Sequence, residues 1–194
     1  MQIMLFGGAF DPPHLGHQYI TKNILDQNIA DQVWYVPAKN HPFAKNMSPA
    51  KDRLAMLQFL VAQDSRTRIE TYELDKEGVS YSYQTLKALS AKYPEHEFSW
   101  LIGSDNLAKF HLWGDGNGGD YRIMLGKYKF YVYPRKNFSF SPLYDNMFPL
   151  KNMQEIEISS TLIRNQCLND STIDKLVDPA VVEYIKNNQL YQKE

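Results

Sequence analysis

The chain has one cysteine, Cys167, among 194 residues, so no disulfide can form within it. That composition suits a reducing compartment. The plain reading of Cys167 is a small apolar residue in the helix after Arg164. No apolar stretch approaches the ~18 residues of a membrane span. The start, Met1-Gln2-Ile3, has no basic region ahead of an apolar core, and a cytoplasmic protein without membrane contact is expected. An excess of either charge is missing too, with 21 basic against 22 acidic residues. This excludes a global pull toward nucleic acid or anionic lipid, so any positive field must be local to a site. Internal repeats, low-complexity tracts and interdomain linkers are absent, and residues 1–194 read as one domain large enough to bury most of its apolar surface. No GxGxxG fingerprint follows the first strand candidate, where a dinucleotide-binding fold carries it, which argues against a dehydrogenase.

The most informative segment present is Met4 to His17, MLFGGAFDPPHLGH. Ile3 to Phe6 is a short apolar run of the kind that makes a buried strand, and Gly7-Gly8 follows where a backbone must come close to a ligand. Pro12-Pro13 holds the preceding residues extended and stiffens the turn. Leu15, Tyr19, Ile20, Ile24 and Leu25 then have helical spacing, with His14, Gly16 and His17 in the first turn. A helix start exposes unpaired N–H groups and partial positive charge, so phosphate is its natural guest. Two other readings exist: histidines that merely hydrogen-bond at the helix start, or metal ligands three residues apart. No nearby carboxylate or cysteine completes a metal set.

Near the other end, Ile158-Ser159-Ser160-Thr161-Leu162-Ile163-Arg164 reads as a second helix start. Ser159 or Ser160 caps it, placing N–H groups and the hydroxyls of Ser160 and Thr161 at an anion site. Helical side chains lean toward the helix start, so Arg164 can reach back to phosphate oxygens with its fork of donors. Between these motifs, the strand-like run Phe98 to Ile102 enters Gly103-Ser104-Asp105-Asn106-Leu107-Ala108-Lys109-Phe110-His111-Leu112-Trp113.

The first segment resembles GGTFDPxHxGH, and the second ISSTxIR, of the nucleotidyltransferase superfamily, with Ala9 where Thr is usual. The middle block is similar to the IGxDxLxxFxxW of bacterial nicotinate-nucleotide adenylyltransferases. Lys51 to Leu57, Ser80 to Leu86 (with Ser82 for Thr and Gln84 for Asp) and Leu176 to Ile185 resemble further blocks of that family. The resemblance implies transfer of AMP from ATP to nicotinate mononucleotide, with Mg²⁺ held mainly by the ATP phosphates, and leaves a homo-oligomer open. In that frame the ATP site comprises Gly7, Gly8, Ala9, Phe10, His14, Gly16, His17, Gly103, Asp105, Ser159, Ser160, Thr161 and Arg164. His14, His17 and Arg164 carry the catalytic work, Asp105 meets a ribose, and Asp11 braces the loop. Lys45, Ser82, Trp113 and Arg135 are assigned to the acceptor, Trp113 as a stacking ring and Arg135 as a further phosphate contact. Departures from the family gather there: Asn40 to Lys45 replaces PPHK, so that His41 or Lys45 stands in, and Gly114 to Asp120 is a glycine-rich run expected to form a mobile loop. Nicotinamide mononucleotide or pantetheine phosphate as acceptor, and a non-catalytic nucleotide-binding module, are the rival functions.

Strand candidates recur at Ile3–Phe6, Val33–Val36, Arg68–Tyr72, Phe98–Ile102 and Lys129–Tyr133, separated by helical segments such as Arg53–Ala62 and Tyr83–Lys92. This alternation predicts an α/β fold, a Rossmann-like doubly wound parallel sheet with helices on both faces, and a small helical C-terminal part. Ligands of such sheets bind beyond the carboxyl ends of the strands, where His14, His17, Gly103 and Asp105 are expected to meet. Asp178 and Pro179 mark the cap and first residue of the closing helix.

Overall fold

The computed structural model describes residues 1–39, 47–76, 78–79, 81–114 and 120–192. Six strands form one sheet: β1 (Gln2–Gly8), β2 (Gln32–Pro37), β3 (Thr67–Ile69), β4 (Glu97–Gly103), β5 (Lys129–Tyr133) and β6 (Met147–Pro149). The helices are α1 (Leu15–Asp26), α2 (Ala50–Val61), α3 (Tyr72–Asp75), α4 (Ser82–Lys92), α5 (Tyr121–Leu125), α6 (Ser160–Leu168) and α7 (Pro179–Asn187), with a 3₁₀ segment over Ser104–Leu112. Every strand pair is parallel, in the order β3-β2-β1-β4-β5-β6.

Alternation along the strands divides the core into two layers. Met4 and Phe6 of β1 pair with Val33 and Tyr35 of β2, and these share one face with Ile20 and Ile24 of α1, Met56, Leu57 and Leu60 of α2, Ile163 of α6 and Val181 of α7. Ile3 and Leu5 point the other way, with Trp34 and Val36, onto Leu86 and Leu89 of α4, Leu107 and Phe110 of the 3₁₀ segment and Met124 of α5. A sheet covered on both faces explains why its inner strands read as unbroken apolar runs. The strand order reverses between β1 and β4, so the chain leaves these neighbours toward opposite layers and opens a crevice at their carboxyl ends.

Two features differ from the sequence reading. The strand expected over Arg68–Tyr72 is shorter, Thr67–Ile69, and Tyr72 opens α3, whose four residues give too little periodicity to recognise. β6 was not anticipated: it has three residues ending in Pro149, and its place comes from pairing with β5, Met147 opposite Phe130. The closing helix starts as expected, with Asp178 Oδ1 accepting from the Ala180 N–H at 2.8 Å and Pro179 in the first helical position.

Gly7 faces the Trp100 ring on β4, and a Cβ there would collide with that ring. Trp100 is buried and cannot swing away. Gly7→Ala is expected to destabilise the fold by about 1–3 kcal/mol, seen as a lower urea midpoint at unchanged m-value.

Candidate active site

Past Gly8 the chain does not stay extended ahead of the prolines. Phe10 adopts φ 49° and folds its ring back beneath Gly8, where an added Cβ would lie 3.2 Å from it. The buried Phe10 ring then packs edge-on against His17, 5.0 Å between centroids. His14 is the cap of α1 and so lies just before its first turn. The two histidines form a reciprocal capping box: the His17 N–H donates to His14 Nδ1 at 3.3 Å, and the His14 N–H donates to His17 Nδ1 at 3.1 Å. A backbone N–H can only donate, so both Nδ1 atoms accept and each neutral ring carries its proton on Nε2. Among the described residues neither Nε2 has a hydrogen-bond partner. The helix-start reading and the phosphate reading therefore concern different nitrogens: Nδ1 holds the turn, and Nε2 remains to donate outward. The rings stack at 3.6 Å and 21°, and Gly16 is required beneath them because a Cβ would sit 2.9 Å from both His14 Nδ1 and Ile156 Cγ2.

Burial, and after it the Arg135 guanidinium, lowers the His14 pKa to about 3. His17 is held well below the ordinary histidine range by burial, by His14 and by Arg135. Both rings are neutral donors near neutral pH.

The second motif docks onto the loop between β1 and α1. Ser159 caps α6, its Oγ accepting from the Leu162 N–H at 3.2 Å. Ser160 Oγ donates to the Pro12 carbonyl at 2.9 Å, and Arg164 reaches back to donate through Nη1 to the Asp11 carbonyl at 2.7 Å and through Nη2 to Thr161 Oγ1 at 3.2 Å. The Asp11 carboxylate, 2% exposed, accepts from the Ser48 N–H at 3.1 Å and from Tyr191 at 2.6 Å, which makes it the brace expected of it.

At the end of β4, a Cβ on Gly103 would collide with the Asp105 carboxylate and lie 3.0 Å from Arg135 Cγ and from the Tyr133 ring. Asp105 sits 4.0 Å from Arg135 Nε, and Arg135 Nη1 donates to the Ile158 carbonyl at 2.9 Å. Arg135 thus stands between the histidines and the second motif. It is not among the residues lining the cavity that holds Ser82 and Trp113. That cavity, about 220 Å³, runs from Gly7, Gly8 and Gly103 past Asn106 to Tyr81, Ser82 and Trp113. Trp113 stacks on Phe110 at 5.0 Å and 27°. The start of α4 lies at its edge, with Tyr81 at the cap position making no side-chain capping bond. Lys45 and His41 fall outside the described residues, as do 115–119 of the glycine-rich run.

Sequence reasoning missed Arg53. Only 1% exposed, it donates from Nη1 to the Ala9 carbonyl at 2.7 Å, from Nη2 to Ala38 at 2.8 Å and from Nε to Ser48 at 3.1 Å. Its signal was present: Arg53, Met56, Leu57 and Leu60 share the buried stripe of α2, an unusual place for a charge.

Two anion-ready helix starts converging on the switch point of a parallel sheet define a class of phosphate-handling α/β proteins. The chain belongs to the cytidylyltransferase-like family, whose model matches residues 5–166. It is 36% identical, over 98% of its length and 86% of the relative's, to a Geobacillus thermodenitrificans protein named "Probable nicotinate-nucleotide adenylyltransferase". A Cytophaga hutchinsonii protein of the same name is 35% identical over 98% of both chains. Among solved structures, the Plasmodium falciparum nicotinic acid mononucleotide adenylyltransferase complexed with NaAD superposes with TM-score 0.78 at 19% identity, covering 98% of this chain and 97% of that one, a likeness of fold.

Because both histidines titrate lower in the folded chain than at the unfolded value near 6.5, the unfolded state binds more protons as pH drops below 6.5. Stability is therefore full above pH 6.5 and declines as pH falls toward the folded pKa values, by up to about 1.4 kcal/mol per pH unit for each ring. His14→Asn keeps a capping acceptor and is expected to remove one proton from that slope in urea titrations between pH 6.5 and 4.

Proposed function

We propose that this chain is a nicotinate-nucleotide adenylyltransferase, joining ATP to nicotinate mononucleotide to give nicotinate adenine dinucleotide and pyrophosphate. Its relatives' names support this substrate pair. The observation that carries the mechanism is the histidine capping box, which leaves two neutral Nε2–H donors side by side within the field of Arg135, while Arg164 is bonded to Asp11 on the same loop. An oxygen of the acceptor 5′-phosphate attacks the α-phosphorus of ATP. The bond from that phosphorus to the bridging oxygen breaks, and its electron pair leaves with pyrophosphate. Nothing in this step needs a protein nucleophile or base; alignment and neutralisation of charge suffice.

In this reading His17 and His14 donate to the α-phosphate and acceptor oxygens, His17 being the principal donor as charge develops. Neutral rings can both engage without repelling each other. Arg164, Thr161 and the first N–H groups of α6 receive the β and γ phosphates. The Ser160 hydroxyl already donates to Pro12, so Ser160 contributes through its N–H. Magnesium held by the nucleotide's phosphates would offset their charge; among the described residues no group of three or more His, Cys, Asp or Glu could hold it. Asp105 faces a ribose, and the nicotinate ring takes the cavity beside Trp113, at whose edge α4 begins. One sheet with both core layers supports a single working domain. Dependence on ATP favours the cytoplasm, while no helix among the described residues is long and apolar enough to cross a membrane.

Pyrophosphate release with MgATP and a panel of acceptors tests the reading, and kcat/KM is expected to be highest for nicotinate mononucleotide. Equal or higher values for the amide mononucleotide, or for pantetheine phosphate, would reassign the acceptor; no release with any of them would favour a binding module. His17→Ala removes one preorganised donor and is expected to lower kcat about 10²–10³-fold while circular dichroism shows the fold retained. Near-normal turnover in that variant would overturn the role of His17.

A further inference from the structure

We infer that Tyr191, in the segment after α7, is a positioning residue for adenylyl transfer, acting through Asp11 to hold the histidine-bearing loop against the approach to α2. The inference rests on the proposed function for its kinetic readout. The Tyr191 hydroxyl donates to Asp11 Oδ1 at 2.6 Å, while the other carboxylate oxygen accepts from the Ser48 N–H at 3.1 Å. Asp11 thereby joins three segments far apart in sequence: the loop between β1 and α1, the residues leading into α2, and the chain beyond α7. The carbonyl of the same Asp11 receives Arg164, so a shift of this residue moves a phosphate-binding side chain together with the histidine loop.

The chain is bent to make this contact. Gln189 and Tyr191 adopt φ values of 52° and 59°, a left-handed conformation that bulky residues rarely take. Such geometry persists where its surroundings over-determine it, and it clusters at functional sites. Burial beside the Asp11 carboxylate raises the Tyr191 pKa above its ordinary value, so the phenol stays protonated and the contact is one in which oxygen donates to carboxylate, a short charge-assisted bond. A second tyrosine supplies an internal comparison. Tyr184 on α7 donates to Asp52 Oδ1 at 2.9 Å, tying α7 to α2 without touching the histidine loop.

Tyr191→Phe keeps the ring and removes the bond. With saturating MgATP and nicotinate mononucleotide it is expected to lower kcat about tenfold, the scale of one charge-assisted hydrogen bond. Tyr184→Phe is expected to leave kcat unchanged, at a melting temperature similar to that of Tyr191→Phe. Asp11→Asn is the partner variant. If Tyr191 acts through Asp11, adding Tyr191→Phe to it lowers kcat no further. Amide exchange supplies a readout free of turnover: the Ser48 N–H and the amides of residues 14–17 should exchange faster in Tyr191→Phe than in Tyr184→Phe. A Tyr191→Phe enzyme with normal kcat, effects of Tyr191→Phe and Asp11→Asn that multiply, or equal exchange in the two phenylalanine variants would each overturn the inference. A wild-type chain inactive with these substrates would instead overturn the proposed function, and the exchange comparison would still decide whether Tyr191 holds the loop.

Discussion

A buried guanidinium organises the ground on which the site stands. Arg53 holds carbonyls from the start of the loop after β1, the end of β2 and the approach to α2, three segments that would otherwise present unpaired acceptors to one another. A hydrogen bond to a charged group contributes about 1.5–3 kcal/mol, but taking the charge from water costs several kcal/mol. Burial lowers the Arg53 pKa, and the nearby Asp11 carboxylate opposes that shift. The net worth of such an arrangement lies less in stability than in geometry: three donors in a rigid plane leave the three loops one relative placement.

That placement lets the histidines work as a unit. A histidine at a helix start can serve phosphate as a cation or as a neutral donor, and here the backbone decides. Each Nδ1 is occupied by the other residue's N–H, and the stacked rings sit in a buried pocket within the field of Arg135. Two imidazolium ions at this separation would repel strongly; two neutral rings with outward N–H groups need no reorganisation when an anion arrives. Net positive charge comes from the arginines and fine hydrogen bonding from the histidines.

The cavity that the proposed function gives to the acceptor is built differently. Its cavity is bounded by glycines where backbone and ring approach closely, by Trp113 on Phe110, and by a helix start without a side-chain cap. Under the proposed function, recognition there depends on shape and backbone more than on particular side chains. Departures from the family's pattern at Ser82 and Gln84 are compatible with this, because an N–H group belongs to every residue but proline.

Local chemistry made much of this legible beforehand. Apolar runs, helical spacing and the cap at Asp178 depend on residues close in sequence, so five strands, the main helices and both anion-ready helix starts could be read from spacing alone. The motif residues His14, His17, Ser159 and Arg164 were likewise marked by their neighbours. What depends on partners far along the chain was not. β6 exists through pairing with β5, Arg135 belongs with the histidines because β5 lies beside β4, and neither Arg53 nor Tyr191 has a local reason to face the β1 loop. Sequence by itself determined which groups could bind phosphate, since helix starts and side-chain donors are local properties. Only tertiary packing decided what charge each histidine carries and which distant residues hold it, because desolvation and field arise from atoms brought together by folding.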